Sequence, residues 1–533
     1  MPDTDRPSPG DGFHTIPIQI NNNDYIPDRQ RELILQNTRG GCCNRDMRNQ
    51  PQANAVGAAA LIFVSGGLHI AWSIGFDSLV AEFLVTNHVR VCWFGAAIIG
   101  ALLGGFFSRK ISYKYLMDFC SLLTVVSGLV MSFTKFNLNA LLTARYLNGF
   151  ANGLAFAPTL AMSGELTVFY KRGTTTSAAE QWPTTIGMFV QIVCSVSWDM
   201  ENDFTEEQFQ GVLSVILGVI AFFLAWKMSI ESPVDLLEAG EEQAAIDALS
   251  RLQRPQAVTA ETYDQASDHR SYLNHNSSLG WSHAFPALLR LSLLRFLYGV
   301  SSSTMVAFTL YYTSMRVYGE SSGPFVVFGF FRLIGSFSCA FALDTLGRKI
   351  PLLLGLVIAG GLSFGIASRF AGSALLPFGN MRMALWLLLI FQLFAGIAFA
   401  PLSSYLSEAF PRRIKRQCIA ISYVAEMVAQ LLICQVDLGS EVSGGNPIAF
   451  FFFSSGSFLL CGFLTCVWFM PETKDTTLLQ AQIKFQKFVI LQPESRPFNT
   501  ALLTPRLIRG LTLKVSAVPY LIKFVGHFEL AAQ

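Results

Sequence analysis

Arg332 stands in the middle of "GPFVVFGFFRLIGSFSCAFAL", and Glu426 is the one charge inside "QCIAISYVAEMVAQLLICQV". A guanidinium within an apolar run of that length costs ~2.5–3.5 kcal/mol on insertion scales, so it needs a partner or a water-filled cavity. Depth points to the partner. Arg332 lies twelve residues before Asp344, about 18 Å from the end of its run at a helical rise of ~1.5 Å per residue. Glu426 lies ten residues beyond Arg416, about 15 Å from the same side. Opposite charges at matched depth predict an Arg332–Glu426 ion pair near the bilayer midplane. It either lines a central cavity or only holds two helices together. Gln430, four residues after Glu426, shares its helix face.

A second set of charges recurs along the chain. "GELTVFYKRG" and "SEAFPRRIKR" each place a glutamate seven residues before a base, Glu165 to Arg172 and Glu408 to Lys415. "GGFFSRKISYK" and "FALDTLGRK", the latter with Asp344 and Arg348, form another matching pair of sites. Any one such charge is read as a solvated membrane flank. Their recurrence at equivalent places predicts a gate of charge pairs that latches the inner ends of two half-molecules.

These residues must be positioned by membrane helices. Hydrophobic residues make up 52% of the 533-residue chain and charged residues 14%, outside the soluble globular range. Apolar stretches of roughly 20 residues, enough to cross a ~30 Å core, recur at about 56–80, 89–107, 116–134, 139–162, 176–198 and 211–230. Six more follow at about 287–313, 323–343, 350–370, 383–407, 417–437 and 448–470. The fold class expected is all-α, with twelve transmembrane helices in two six-helix bundles. Expected divisions are a disordered cytoplasmic tail over 1–55, bundles over 56–230 and 285–475, a cytoplasmic linker with short helices over 231–284, and a cytoplasmic tail over 476–533. Eleven basic residues near one set of loops, against five near the alternate set, make the first set and both termini cytoplasmic. Neither a net charge of +2 nor the scatter of basic residues points to nucleic acid. Ten cysteines, mostly in apolar stretches, show neither a disulfide framework nor metal-ligand spacing. No nucleophile elbow or phosphate loop is present, so an enzyme is the weakest reading, and neither cofactor nor metal is expected.

Several motifs carry a resemblance. "ESPVDLLEAGEEQAAIDALSRL" follows the sixth span and "PETKDTTL" ends the twelfth, with "RYLNGFANG", "LDTLGRK" and "YLSEAFP" between them. Over roughly residues 56–480 the chain resembles the sugar porters of the major facilitator superfamily. That resemblance implies movement of a hexose or related polyol by alternating access, either facilitated or coupled to a proton. It makes Gln181 a sugar-contacting amide of the fifth span, although counting forward from Arg172 selects Glu180 instead. It matches Asp77 and Arg145 to the acid and base that couple protons to sugar, with a structural ion pair as the other reading. It puts Arg332 where relatives carry an uncharged amide, and Glu426 and Gln430 at two asparagine positions.

The chain also departs from the family. "SSSTMVA" precedes Tyr311 and Tyr312 where sugar-gripping amides are usual, Ser403 replaces a tryptophan, and Arg109 and Tyr113 alter the first-half gate. Candidate substrate-binding residues are therefore Gln181, Arg332, Glu426 and Gln430. The expected function is a secondary transporter of a sugar or related polar metabolite in the plasma membrane. A transporter of organic anions and a transport-inactive sensor or scaffold are the alternatives. Its partners are a small polar solute, a proton as candidate co-substrate, and the lipid bilayer.

Overall fold

The computed structural model describes residues 42–76, 87–135, 137–198, 203–319, 321–371, 378–435 and 446–487. After α1 (Cys42–Ala55), the first six spans are α2 (Gly57–Ile74), α3 (Asn87–Phe107), α4 (Tyr113–Phe133), α5 (Leu138–Leu166), the pair α6 (Arg172–Ala179) and α7 (Gln181–Ser197), and α8 (Glu206–Met228). Three short helices link them to the second six: α9 (Pro233–Glu238), α10 (Glu242–Arg251) and α11 (Ala260–Asn276). The seventh span is the pair α12 (Trp281–Ser301) and α13 (Thr304–Tyr318), followed by α14 (Gly323–Leu346) and α15 (Lys349–Phe370). The tenth is the pair α16 (Phe378–Phe399) and α17 (Leu402–Glu408), followed by α18 (Lys415–Cys434), α19 (Pro447–Phe469) and the terminal helix α20 (Leu478–Gln486). The arrangement is the major facilitator fold, two six-helix bundles facing one another.

Ten described helical runs are long and apolar enough to cross a membrane. The two further spans, α5 and α6–α7, are more polar for a physical reason. From Asn148 onward almost every α5 residue is buried by neighbouring helices, so its polar groups meet protein and not lipid. Small residues allow that packing. A Cβ on Gly149 or Gly153 would collide with the carbonyls of Trp93 or Ala97, and one on Gly100 with that of Phe150, so α3 and α5 approach through paired glycines four residues apart.

Three spans break, and each break has a local cause. Pro183 sits in the first turn of α7, where its ring would clash with the Ala179 carbonyl if the helix ran through. Glu180 therefore leaves helical geometry (φ −134°, ψ −54°). Pro401 supplies no N–H and starts α17. In the seventh span Ser303 is extended, at φ −92° and ψ 168°. These breaks bring Glu180, Ser403 and the Ser301–Ser303 backbone to the space between the bundles.

The reading of 1–55 as a disordered tail is corrected at its end, because Cys42–Ala55 is helical. Gln52 Oε1 accepts from Val168 N at 3.2 Å, which anchors α1 to the fourth span's end. The tail over 476–533 is corrected likewise, because Thr477 caps α20 in a capping box with Gln480. Residues 488–533 lie outside the described residues.

Candidate functional site

The centre of the molecule is organised by Arg295 of α12, a fully buried side chain. Its Nη1 donates to Glu426 Oε2 at 2.9 Å and its Nη2 to Glu180 Oε2 at 3.0 Å. The same Nη1 lies 3.3 Å from Glu180 Oε1, so one guanidinium holds two carboxylates. Ser403 Oγ donates to Glu180 Oε2 at 2.5 Å. Glu180 belongs to the first half, and Arg295, Ser403 and Glu426 to the second. The cluster thus ties the halves together at mid-depth. Beside it, Phe156 of α5 stacks on Tyr423 of α18 with ring centroids 3.9 Å apart, a further contact between the halves.

The expected Arg332–Glu426 pair does not form. Arg332 Nη1 donates instead to Gln392 Oε1 at 2.9 Å and to Ser301 Oγ at 3.3 Å. The Tyr298 ring intervenes, its centroid 5.1 Å from Arg332 Cζ and 5.8 Å from Arg295 Cζ. Arg295 occupies the facing position next to Glu426. Gln430 lies on the same face as Glu426 and donates to Ser302 O at 3.1 Å. The two residues competing for the fifth-span position separate clearly. Glu180 points to the centre, whereas Gln181 is buried beside it with Oε1 making no hydrogen bond.

Away from the linker helices, beyond this cluster, lies a small cavity of about 10 Å³, room for about one water, lined by Thr185, Ile192, Ser302, Phe328, Arg332 and Gln392 among others. Arg332 Nη2 is buried there without a hydrogen-bond partner. On the far side, away from the linker helices, Phe76 packs against Phe325 and Phe328 at 6.5 and 5.9 Å.

The linker side is closed by charge. Glu165 of α5 binds Arg412 at 3.1 Å and Lys415 at 3.4 Å, both from the second half. Arg172 of α6 reaches Glu408 of α17 at 3.5 Å, and Arg348 meets the same carboxylate at 3.0 Å. Asp344 accepts from the first amides of α6, Gly173 N at 2.9 Å and Thr174 N at 3.1 Å, where a helix N-terminus favours negative charge. All six residues expected to form the gate therefore sit in one layer. The pairing crosses over, since Glu165 meets the second half's bases and Arg172 the second half's acid.

The linker joins the same layer. Ser232 Oγ donates to Glu165 Oε2 at 2.7 Å, and Asp235 of α9 pairs with Arg412 and, at 3.2 Å, with Arg416. Asn276 is buried, accepting from Arg412 N at 3.1 Å and donating to Gln482 at 2.9 Å. His269 of α11 lies beneath the layer. Burial pushes its imidazole down to about 4, opposed by the Glu165 carboxylate and reinforced by Arg172 and Lys415.

The family model of the sugar (and other) transporters matches residues 46–485. The chain belongs to that family. It is a multi-pass secondary transporter and not an enzyme. A relative named "Probable plastidic glucose transporter 3" from Arabidopsis thaliana is 26% identical over 386 residues, covering 70% of this chain and 75% of the relative. Among solved structures, the proton:xylose symporter XylE bound to 6-bromo-6-deoxy-D-glucose matches with a TM-score of 0.67 at 19% identity, over 81% of this chain and 99% of that one. The inward-open form of XylE from E. coli matches at 0.56 and 18%, over 80% and 98%.

Within this family member, Arg145 is buried, with Nε donating to Val89 O at 3.0 Å and the guanidinium 4.1 Å over the Trp72 ring. Its expected partner Asp77 lies outside the described residues. Sequence reasoning missed Arg295 and Gln392. The signal for Arg295 was present as a base eight residues into the seventh apolar run, at a depth of about 12 Å. For Gln392 a lone amide in an apolar span offers no comparable cost to flag it.

Proposed function

We propose that this transporter holds its cargo in the cavity between the far-side aromatic contacts and the Arg295 cluster, and moves it by alternating access. The cargo is a sugar or related polyol. The family and the named substrates of its relatives support this reading, and the cavity, closed down to about 10 Å³ in this conformation, widens to the ~300–1,000 Å³ of small-molecule sites when it admits cargo. The donors and acceptors for hydroxyl groups are Arg332, Gln392 and Ser302. Gln430, which donates to Ser302 O, Glu426 and Gln181 stand behind that lining. Asp77 carries the coupling proton and Arg145 tunes its occupancy, and the Glu165, Arg172, Asp344, Arg348, Glu408 and Lys415 layer is the inner gate. The linker side faces the cytoplasm and the membrane is the plasma membrane, with an organelle membrane the outcome that a tagged chain would reveal instead.

One observation carries the cargo reading, the unpartnered Nη2 of buried Arg332 at the cavity. It also favours a second reading, a sugar acid or other organic anion, whose carboxylate would take a charge-assisted bond there. Uptake of radiolabelled D-glucose, myo-inositol and D-gluconate into proteoliposomes, with and without a proton gradient, tests both. Sugar uptake reduced ~10-fold by Arg332→Gln supports the first reading, a loss worth about 1.4 kcal/mol. Gluconate uptake abolished by the same change supports the second. No uptake of any of the three by the wild type overturns both and leaves a transport-inactive sensor.

A further inference from the structure

The linker side carries a second cavity, and its charge is not balanced. Three pieces of chain meet there: the turn after α3 with Arg109, the linker with Glu238, Glu242 and Arg270, and the turn before α18 with Arg412 and Arg413. The cleft they line holds about 660 Å³, within the ~300–1,000 Å³ of small-molecule sites. Four guanidiniums line it against two carboxylates. Arg412 is turned inward to Glu165 and Asp235. Arg109 pairs with Glu238 at 2.9 Å and Arg270 with Glu242 at 2.5 Å, and both pairs are part-exposed, where an ion pair is worth little. Arg413 is exposed, and its guanidinium meets no acid among the described residues. Arg109 Nη1 donates to Arg413 O at 3.3 Å, so these two corners of the cleft lie side by side. Glu238 also lies 3.7 Å from Arg412, so it keeps a base if Arg109 turns to a ligand. Asn274 and Ser277 add an amide and a hydroxyl on the linker wall.

We infer that this cleft binds the phosphate group of a phosphate monoester, and that the bound phosphate ties both halves and the linker together while the linker side is closed. The chemistry follows from the donors. Guanidinium forks match phosphate oxygens in pairs, with charge-assisted hydrogen bonds. A monoester carries about −1.5 to −2 near neutral pH, enough to draw Arg109 and Arg270 from their exposed glutamates, whereas a single carboxylate offers nothing that Glu238 and Glu242 do not. Arg109 belongs to the first half, Arg270 to the linker and Arg413 to the second half. Parting of the halves on this side moves Arg109 away from Arg413 and leaves the open form with only part of the site. A ligand that prefers one form shifts the population toward it by that difference in affinity. The cleft is thus a brake on the transport cycle, and this consequence rests on the alternating-access reading.

Calorimetric titration of glycerol 3-phosphate into the full chain in phosphatidylcholine nanodiscs tests the site, at ~0.1 M salt so that distant surface charges are largely screened. One equivalent should bind, and ~10-fold more weakly in Arg413→Gln. Lys110→Gln removes the same charge from the exposed neighbour of Arg109, outside the cleft, and should change the affinity by less than ~2-fold. Equal losses in the two variants, or no binding by the wild type, overturn the proposal. If Arg413→Gln does not fold, Arg270→Gln takes its place with the same expectation. Nanodiscs carrying phosphatidic acid or, at equal charge, oleate separate the two sources of the phosphate. Weaker binding of glycerol 3-phosphate with phosphatidic acid alone assigns the site to a lipid headgroup, and equal binding in both assigns it to a soluble ester. The tie itself is read by hydrogen exchange of α9. At about ten times the dissociation constant of glycerol 3-phosphate that exchange should slow ~10-fold, and exchange unchanged at saturation overturns the tie. No cargo is used, so failure here leaves the uptake result untouched, and failure of uptake leaves the binding result standing.

Discussion

On the linker side, Glu165, Glu408 and Asp344 join the two halves through ion pairs and charge-assisted hydrogen bonds. On the far side, among the described residues, Phe76 lies against Phe325 and Phe328, an aromatic contact between the halves. The two closures differ in how they open. Aromatic faces slide, and the cost of parting them scales with the area exposed. Buried charges cannot part gradually, because an unpaired charge must be compensated at once. The linker side meets that demand by giving its charges a second partner. Glu165, whose two bases both belong to the second half, keeps only the Ser232 hydroxyl, whereas Glu408 keeps Arg348 when Arg172 leaves. The Arg295 cluster repeats the device at mid-depth.

The comparison can be broken hardest at Arg412. Arg412→Ala removes one of the two bases of fully buried Glu165, leaving Lys415, and also frees Asp235, and is expected to destabilise the detergent-solubilised protein by about 3 kcal/mol. Thermal unfolding would show it, and a shift no larger than that of a surface substitution would sink the claim that this layer is dry. Next comes His269. An unfolded histidine titrates near 6.5, whereas this one is held down to about 4. Its neutral form is therefore favoured by folding, and stability should fall as pH drops from 6.5 toward 4, by roughly 3 kcal/mol in total. His269→Gln should flatten that part of the pH–stability profile.

Smaller effects sharpen the contrast between the two sides. Phe328→Leu trims the far-side contact and should cost about 1 kcal/mol, raising amide exchange near α14's start while leaving that of α6 unchanged. A response of the linker side instead would mean that the closures are one unit. The smallest effect is expected at Arg109, whose pair with Glu238 at 2.9 Å is part-exposed on both sides. Arg109→Ala should cost about 0.5 kcal/mol or less, and added salt should erase the difference.

Much of this was legible in the chain itself. Apolar run length located the spans, since crossing a bilayer demands ~20 residues whatever the neighbours are. The charged layer on the linker side was legible because its charges recur at the same place in both halves. The break at Glu180 was readable in principle from Pro183, yet the choice between Glu180 and Gln181 was not, because a helix break changes the direction of adjacent side chains. The linker's part in the gate was hidden too: Asp235 and Asn276 look like ordinary polar residues until α9 and α11 fold back onto Arg412.

The sequence by itself determined the spans and the helix face shared by Glu426 and Gln430. Both depend only on the rise and period of a helix. Tertiary structure alone decided that Glu426 belongs to Arg295 and that Arg332 turns to Gln392 and Ser301. Depth along a span says nothing of the rotation of one helix against another, and a partner is chosen by rotation.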